Sequence, residues 1–493
     1  IEDGRTLTWR QWNEDANRLA SSLDRLGIRA GDVIAVRVHT RLEWLTISLA
    51  AAKLDAVIVA VNYRLAPVEA TYILRDCKVR AVFVDDTDLD ALLDAWEPLN
   101  LAAVISLDGS AHGAVDFDDL VRDGDPAHRP ATDLARLIIY SSGTTGAPKG
   151  APLNNWQSDP DPAIMGDYQL SVLFDGAALG PGVFLVNLPM HHGAGPGFTR
   201  AALASGSTVV FQRRFDPETM LALIEEHQVS HWVSVPTMLA RILKLPADVR
   251  GRHDLRSLRF VLGGAAPFAP ELKLAVMDYL GDVLYETYGA TEAGMMTGST
   301  PADLRRRPAT SGRPFRHVEL RILDDAGVPL PQGSTGEIAV RTPAVISGYI
   351  GRGALGPDKL DADGFYRTGD VGYVDDEGYL FICDRITDMI IAGGVNIYPA
   401  EVEAALMTHP AVANVAVIGI PDSELGEQPL AFVQAVAGAH PSPEELLDHC
   451  AGRLAKYKWP RRFEIVEEIP TNPMGKVLKN QLREPFWTKE RHI

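Results

Sequence analysis

The fold class predicted is a large N-terminal α/β domain, with mixed and parallel sheets covered by helices, followed by a small C-terminal α+β domain. Three observations predict it. Short apolar runs alternate with amphipathic helical runs through the first hundred residues, the pattern of a parallel sheet flanked by helices. With 493 residues the chain is long enough for more than one domain. Near its end, three strand-like runs (Ala413 to Ile420, Leu430 to Val436, Arg462 to Val466) surround one helical run, Pro443 to Leu454.

Taken in order, Trp12, Ala16, Leu19, Ala20, Leu23 and Leu26 recur at helical spacing until Gly27 stops them. Val33 to Val38 reads as a strand, Leu42 to Leu54 as a helix, Ala56 to Val61 as a strand, Val68 to Asp76 as a helix and Ala81 to Val84 as a strand. Asn154 to Gly180 is expected to be a loop or insertion, because Asp159-Pro160-Asp161-Pro162 interrupts any helix. Val183 to Leu188 is a strand, His231 to Thr237 a strand leading into the helix Met238 to Leu243, and Phe260 to Pro267 a strand with a turn of small residues. Trp232 reads as core. The chain opens abruptly on a hairpin-like phrase, Ile1 to Trp9, so a preceding segment is expected.

Composition narrows the partners. The chain is 46% hydrophobic and 23% charged, ordinary for a globular protein. A net charge of −18 argues against nucleic acid, which is bound by basic patches. The most apolar run, Ile47 to Val61, is broken by Lys53 and Asp55, so no membrane span is expected. Cys77, Cys383 and Cys450 are too scattered for a disulfide framework or zinc site, and a reducing cytoplasm is the simplest setting.

Candidate chemistry begins at Ser141-Ser142-Gly143-Thr144-Thr145-Gly146-Ala147-Pro148-Lys149-Gly150, directly after the apolar run Leu137-Ile138-Ile139. Glycines let backbone N–H groups approach an anion, hydroxyls donate, and Lys149 adds positive charge, as a polyphosphate cradle requires. A Walker A loop needs Gly-Lys-Ser/Thr, and here Pro148 and Gly150 flank Lys149. A plain linker would leave Lys149 and the preceding strand unexplained. His191 and His192 stand at a strand's C-terminal end, where α/β proteins bind ligands; a lone His would more often be packing. Gly263 and Gly264, followed by Ala265 and Ala266, are expected to leave a slot for a flat ring. In Tyr288-Gly289-Ala290-Thr291-Glu292 an aromatic can stack, a hydroxyl can bond phosphate, and a carboxylate can hold Mg²⁺. Asp370 offers two oxygens to paired hydroxyls, although a surface turn also favours Gly-Asp. Lys476 follows a tight turn; a lysine this near a C-terminus is usually a solvated charge.

In this order the motifs resemble the adenylate-forming superfamily, which holds acyl-CoA synthetases, aryl-CoA ligases, firefly-type luciferases and peptide-synthetase adenylation domains. The resemblance covers essentially the whole chain and places the domain change at Ile386/Thr387, giving domains 1–386 and 387–493, the second mobile. It implies that Ser141 to Gly146 and Lys149 cradle the phosphates of ATP. Gly264, Ala265, Ala266, Gly289 and Ile382 would surround the nucleotide, with Tyr288 on adenine, Thr291 on the α-phosphate and Glu292 on Mg²⁺. Asp370 and Arg385 would meet the ribose. His191, His192, Val233, Gly263, Gly289 and Met295 would line the acid pocket, with Met295-Met296 an apolar wall; Gly393, Gly394 and Asn396 would line the coenzyme A channel. Lys476 would be catalytic, alongside Thr291, Glu292 and His192. Gly336-Glu337-Ile338 and Ser347-Gly348-Tyr349 match a further family phrase and read as structural. Departures are Asn154-Asn155 where the family has Thr-His, Thr387 where its hinge has Lys or Asp, and Met474 for Thr or Ser.

The activity implied is an AMP-forming acid–thiol ligation using ATP, Mg²⁺ and coenzyme A on a fatty or otherwise bulky apolar carboxylic acid. No carboxylate lies between Leu188 and Gly197 to hold an amino group, which counts against an amino-acid substrate. Homodimerisation is compatible with this reading. The alternatives are a ligase that loads a carrier protein, an aryl-CoA ligase, and, outside enzymes, a nucleotide-binding regulatory protein on the same fold.

Overall fold

The computed structural model describes residues 1–85, 89–109, 113–131, 133–141, 148–153, 160–393, 395–451, 453–472 and 475–487. The first sheet has seven strands, in which Val33–Arg37, Val57–Ala60, Ala81–Val84 and Ala103–Ser106 run parallel at the centre. Strand Arg136–Ser141 joins them in parallel and then turns back, antiparallel, into Lys149–Pro152. A second seven-stranded sheet repeats the theme: Thr208–Phe211, Val183–Val186, His231–Val233, Phe260–Gly264 and Leu284–Ala290 are parallel, and Gly294–Ser299 and Arg313–Pro314 close it antiparallel. The central strands are buried on both faces, as helix-covered parallel strands must be. Trp232, fully buried, donates its indole N–H to Asn187 Oδ1 at 3.1 Å, so its polar edge is satisfied in the core.

A four-stranded antiparallel sheet ends at Leu380–Arg385. The chain then enters a five-stranded sheet beginning at Ile390–Ala392, packed with the helices Pro399–Met407 and Pro443–Ala451. This second unit is the α+β C-terminal domain. Its long hairpin, Val412–Asp422 with Gly426–Ala435, buries Val415, Val417, Ala431 and Val433 on one face and Ile418, Leu430 and Phe432 on the other.

Element starts follow local chemistry. Thr8 caps the helix Trp9–Arg25, which begins one turn earlier than Trp12, and a Thr8–Gln11 capping box closes it. The expected loop over 154–180 is corrected: Pro162–Val172 is a helix, while 154–159 lie outside the described residues. The same Asp-Pro pair that reads as a breaker is a start signal here. Asp161 accepts the Ala163 N–H at 2.8 Å, and Pro162 occupies the first helical position, where no N–H is needed. Among the described residues no helix is long and apolar enough to cross a membrane, and the three cysteines are free.

Candidate active site

Two polar clusters form where the sheets meet. The first is built on the antiparallel pair that flanks the Gly/Ser/Thr loop, with Ser141 opposite Lys149 in register. Ser142, Gly143, Thr144, Thr145 and Gly146 lie outside the described residues. Ile350 donates its N–H to Gly150 O at 2.9 Å, tying the small hairpin of Gly348–Tyr349 and Gly353–Ala354 to the lysine strand. Tyr349 therefore stands between the charges: Lys149 Nζ is 5.3 Å from its ring centroid, and its hydroxyl donates to Glu292 Oε1 at 2.9 Å. Glu292 and the half-buried Thr291 sit in the turn between Leu284–Ala290 and Gly294–Ser299. Burial and the Glu292 carboxylate both push the Tyr349 phenol up, which keeps it a donor.

The second cluster joins both domains. Asp370 and Arg385 are register partners, and Arg385 Nε lies 3.0 Å from Asp370 Oδ1. The Tyr288 hydroxyl donates to Asp370 Oδ2 at 2.6 Å, so both oxygens of this buried carboxylate are oriented. Ile382 and Tyr288 pack against Ile322, Ile338 and Leu380, giving the cluster an apolar edge. Lys476 arrives from the C-terminal domain on a tight loop in which Asn472 Oδ1 accepts the Lys476 N–H at 2.9 Å. Gly475 precedes it at φ +72°, with Thr237 Oγ1 only 2.4 Å from where a Cβ would stand; glycine alone permits both the turn and the approach to the helix Pro236–Leu243. Burial, then the Arg385 charge, lower the Lys476 ammonium to about 8, against the pull of Asp370 and Asp388.

His191 and His192 follow the strand Val183–Val186 and lead into the helix Ala194–Ala204. Burial, with the charges of His192, Arg64 and His39, lowers His191 to about 3; burial alone lowers His192, and both rings are neutral at pH 7. Tyr63 meets His191 edge-on, with centroids 5.7 Å apart, and stacks on His39 at 3.9 Å.

The glycine slot is corrected. A Cβ on Gly263 would stand 2.5 Å from Phe268 Cε1, one on Gly264 2.5 Å from Thr287 O, and one on Gly289 2.5 Å from Gly294 O and 2.9 Å from Met295 Sδ. These glycines admit neighbouring atoms rather than leaving open space. Met296 is fully buried, so of the expected apolar wall only Met295 remains near the surface, its Sδ 3.5 Å from Thr287 Oγ1. Val233 is buried beside Leu185, Val186, Leu188 and Phe198, facing the core. Ala265, exposed, takes φ +65°, a left-handed conformation that non-glycine residues adopt at a cost, and Ala266 follows it half-buried. Gly393 donates its N–H to Leu425 O at 2.7 Å, and Asn396 is exposed on the hairpin of Ile390–Ala392 and Val395–Ile397; Gly394 lies outside the described residues.

Comparison with known proteins decides the family. Residues 1–350 match the model of the AMP-binding enzymes, and residues 401–476 match the model of the AMP-binding enzyme C-terminal domain. The chain belongs to the AMP-binding enzymes. It is an adenylate-forming ligase of that family, in agreement with the motif resemblance. A fatty acid–[acyl-carrier-protein] ligase of Streptomyces coeruleorubidus is 33% identical over 493 residues, covering 98% of this chain and 92% of the relative. Indoleacetate–CoA ligase of Aromatoleum aromaticum is 34% identical over 491 residues, 97% and 93% of the two chains. Among solved structures, the amide bond synthetase of Marinactinospora thermotolerans superposes with a TM-score of 0.84 at 30% identity, covering 99% of this chain and 96% of that one. In this AMP-binding enzyme, sequence reasoning read Tyr349 as structural and did not single out Tyr63, the two aromatic residues that touch the candidate groups Lys149, Glu292 and His191. Tyr349 carries no spacing signal beyond its place after Gly348, and Tyr63 none at all.

Proposed function

We propose that the chain converts a bulky apolar carboxylic acid to its acyl-CoA through an acyl-AMP intermediate, releasing AMP and pyrophosphate. The observation that carries this reading is Lys476. A lysine from the C-terminal domain is electrostatically coupled to Asp370 and Arg385 of the large domain. That is the arrangement needed to bring two anions together, because a substrate carboxylate must approach the α-phosphate of ATP.

In the first half, a carboxylate oxygen attacks the α-phosphorus, an O–P bond forms, and the bond to the β-phosphate oxygen breaks. Lys476 neutralises charge on the entering carboxylate and the α-phosphate, and Lys149 neutralises the leaving pyrophosphate. Asp370, oriented by Tyr288 and Arg385, receives the ribose hydroxyls. Glu292 is a hard oxygen donor suited to Mg²⁺. When bound, Mg²⁺ supplies charge neutralisation at those phosphates. In the second half the thiolate of coenzyme A attacks the acyl carbon and AMP leaves. With the domain boundary taken after Ile386, Gly393, Gly394 and Asn396 would line the thiol's path once the C-terminal domain turns.

For the acid itself, neutral His191 and His192 suit an apolar pocket. The relatives named above differ in their acceptors, so acceptor identity is part of the test. Pyrophosphate release is measured with Mg·ATP and a panel of acids, with and without coenzyme A. Turnover that requires coenzyme A and yields AMP and a thioester supports the proposal. Release that turns over only with a holo carrier protein assigns the carrier-loading reaction, and no release with any acid overturns the ligase reading.

A further inference from the structure

At the junction between domains, one carboxylate belongs to one side and its partners to the other. Asp384 is on the last strand of the four-stranded sheet, paired in register with Val371. Its Oδ1 accepts its neighbour's amide, from Arg385 at 2.7 Å. Its Oδ2 accepts the Ala400 N–H at 2.8 Å, in the first turn of the helix Pro399–Met407 of the C-terminal domain. A buried carboxylate at a helix N-terminus meets unpaired N–H groups and the positive end of the dipole. Asp384 is only 8% exposed, so this contact is desolvated.

Lys479 adds a second link. Its ammonium lies 2.8 Å from Glu403 Oε1, and Glu403, Asp384 and Asp388 together hold its charge. Arg483, one turn on, pairs with Asp388 at 2.5 Å. Lys479, Glu403, Asp388 and Arg483 all lie beyond the junction and would move as one body. Asp384 would stay behind. Lys479 also opens the helix Lys479–Arg483, three residues after Lys476, so what fixes Lys479 fixes the loop that presents the catalytic lysine.

We propose that Asp384 is a latch: the hydrogen bond it accepts from the Ala400 N–H holds the C-terminal domain in the orientation that brings Lys476 towards Asp370, and it releases for the thiol step. Asp384 touches no substrate and is a positioning residue. The inference rests on the two-step reading above. A structural strut would support both halves of the reaction equally, whereas a latch supports the first and resists the second. The latch also titrates. Burial, reinforced by the Glu403 charge and opposed by Lys479, pushes Asp384 up to about 6. Facing it are Lys479, Glu403, Asp388, Tyr398 and Cys383, with Arg385 adjacent; burial pushes Tyr398 and Cys383 up, so both stay neutral near pH 6. Protonation below about 6 removes the charge that Lys479 and the helix terminus engage.

The test uses Asp384→Asn, which keeps the side chain's shape. Pyrophosphate release should fall about tenfold, the worth of a charge-assisted hydrogen bond, while thiolysis of preformed acyl-AMP is unchanged or faster. The wild-type ratio of the two halves should drop as pH falls through 6, and the variant's ratio should stay flat. A measurement free of activity accompanies this: dyes on Arg252→Cys and Glu444→Cys, both exposed, report domain orientation without substrate. A new distance population in Asp384→Asn is expected. Equal losses in both halves, or identical distance distributions, would overturn the latch. Absence of pyrophosphate release in the wild type would instead sink the ligase reading, leaving the dye measurement to judge the latch.

Discussion

Replacing Lys476 with methionine should abolish one half of the reaction and spare the other. A unit charge about 4 Å from a second one is worth roughly 4 kcal/mol at an effective dielectric near 20. Only part of a charge develops on the attacking carboxylate and the α-phosphate in the transition state, so ~2.7–4 kcal/mol is the reasonable share, a loss of about 10²–10³-fold. Adenylation is read as pyrophosphate release in a single turnover, and thiolysis as AMP release from chemically prepared acyl-AMP. Because Lys476 sits near 8 rather than its ordinary value, wild-type adenylation should fall as pH rises through about 8, with no such limb in the variant. The variant should also be more stable. Burial lowers the folded pKa below the unfolded one, so the folded state binds fewer protons between about 8 and 10.5, and the charged lysine costs stability at pH 7. Chemical denaturation should show the variant ahead by about 1–3 kcal/mol at pH 7, with the gap closing as pH rises through that window. Equal losses in both half-reactions would refute the assignment, because uniform damage reports a disturbed fold and not a missing cation.

Tyr349→Phe removes the donor to Glu292 and should raise the Mg²⁺ concentration for half-maximal activity several-fold; an unchanged Mg²⁺ titration would return Tyr349 to a structural role. For Asp370→Ala the ATP KM should rise about tenfold or more, since two oriented hydrogen-bond acceptors are lost, and an unaltered KM would count against ribose recognition. Lys273→Met should destabilise the large domain by about 3–5 kcal/mol in urea unfolding, because it strands the buried Glu286 whose Oε2 lies 2.5 Å from the ammonium; a loss under 1 kcal/mol would mean that Glu286 takes up a proton at little cost.

What was legible in the sequence is what short-range chemistry determines. The apolar run Ala81–Val84 and the alternating run Arg462–Val466 became strands at those residues, because period and flanking turns specify them locally. Asp370 and Arg385 were separately readable from their motifs, and strand register then places them face to face. Two kinds of signal were ambiguous. Asp-Pro marks both the end of one element and the start of the next, so 162–172 read as a loop although Asp161 is its cap. Glycine marks close approach without saying by what, and at Gly263 the approaching group is Phe268 of the same chain rather than a ligand. The rest depends on distance along the chain. Tyr349 reaches Glu292 57 residues away because an amide at Ile350 bonds Gly150, a pairing no local pattern announces. Asp388 and Arg483, 95 residues apart, meet only after the C-terminal domain has folded, which is why the charges that steady Lys476 look like ordinary surface residues in the sequence. The candidate groups announce themselves through motifs, but the groups that would aim them have chemistry common to any surface and come together only through the fold. Substitution at Tyr349 or Asp384 therefore tests the site more sharply than another change at Lys476, since neither residue has a reason to matter unless the clusters described above are the working ones.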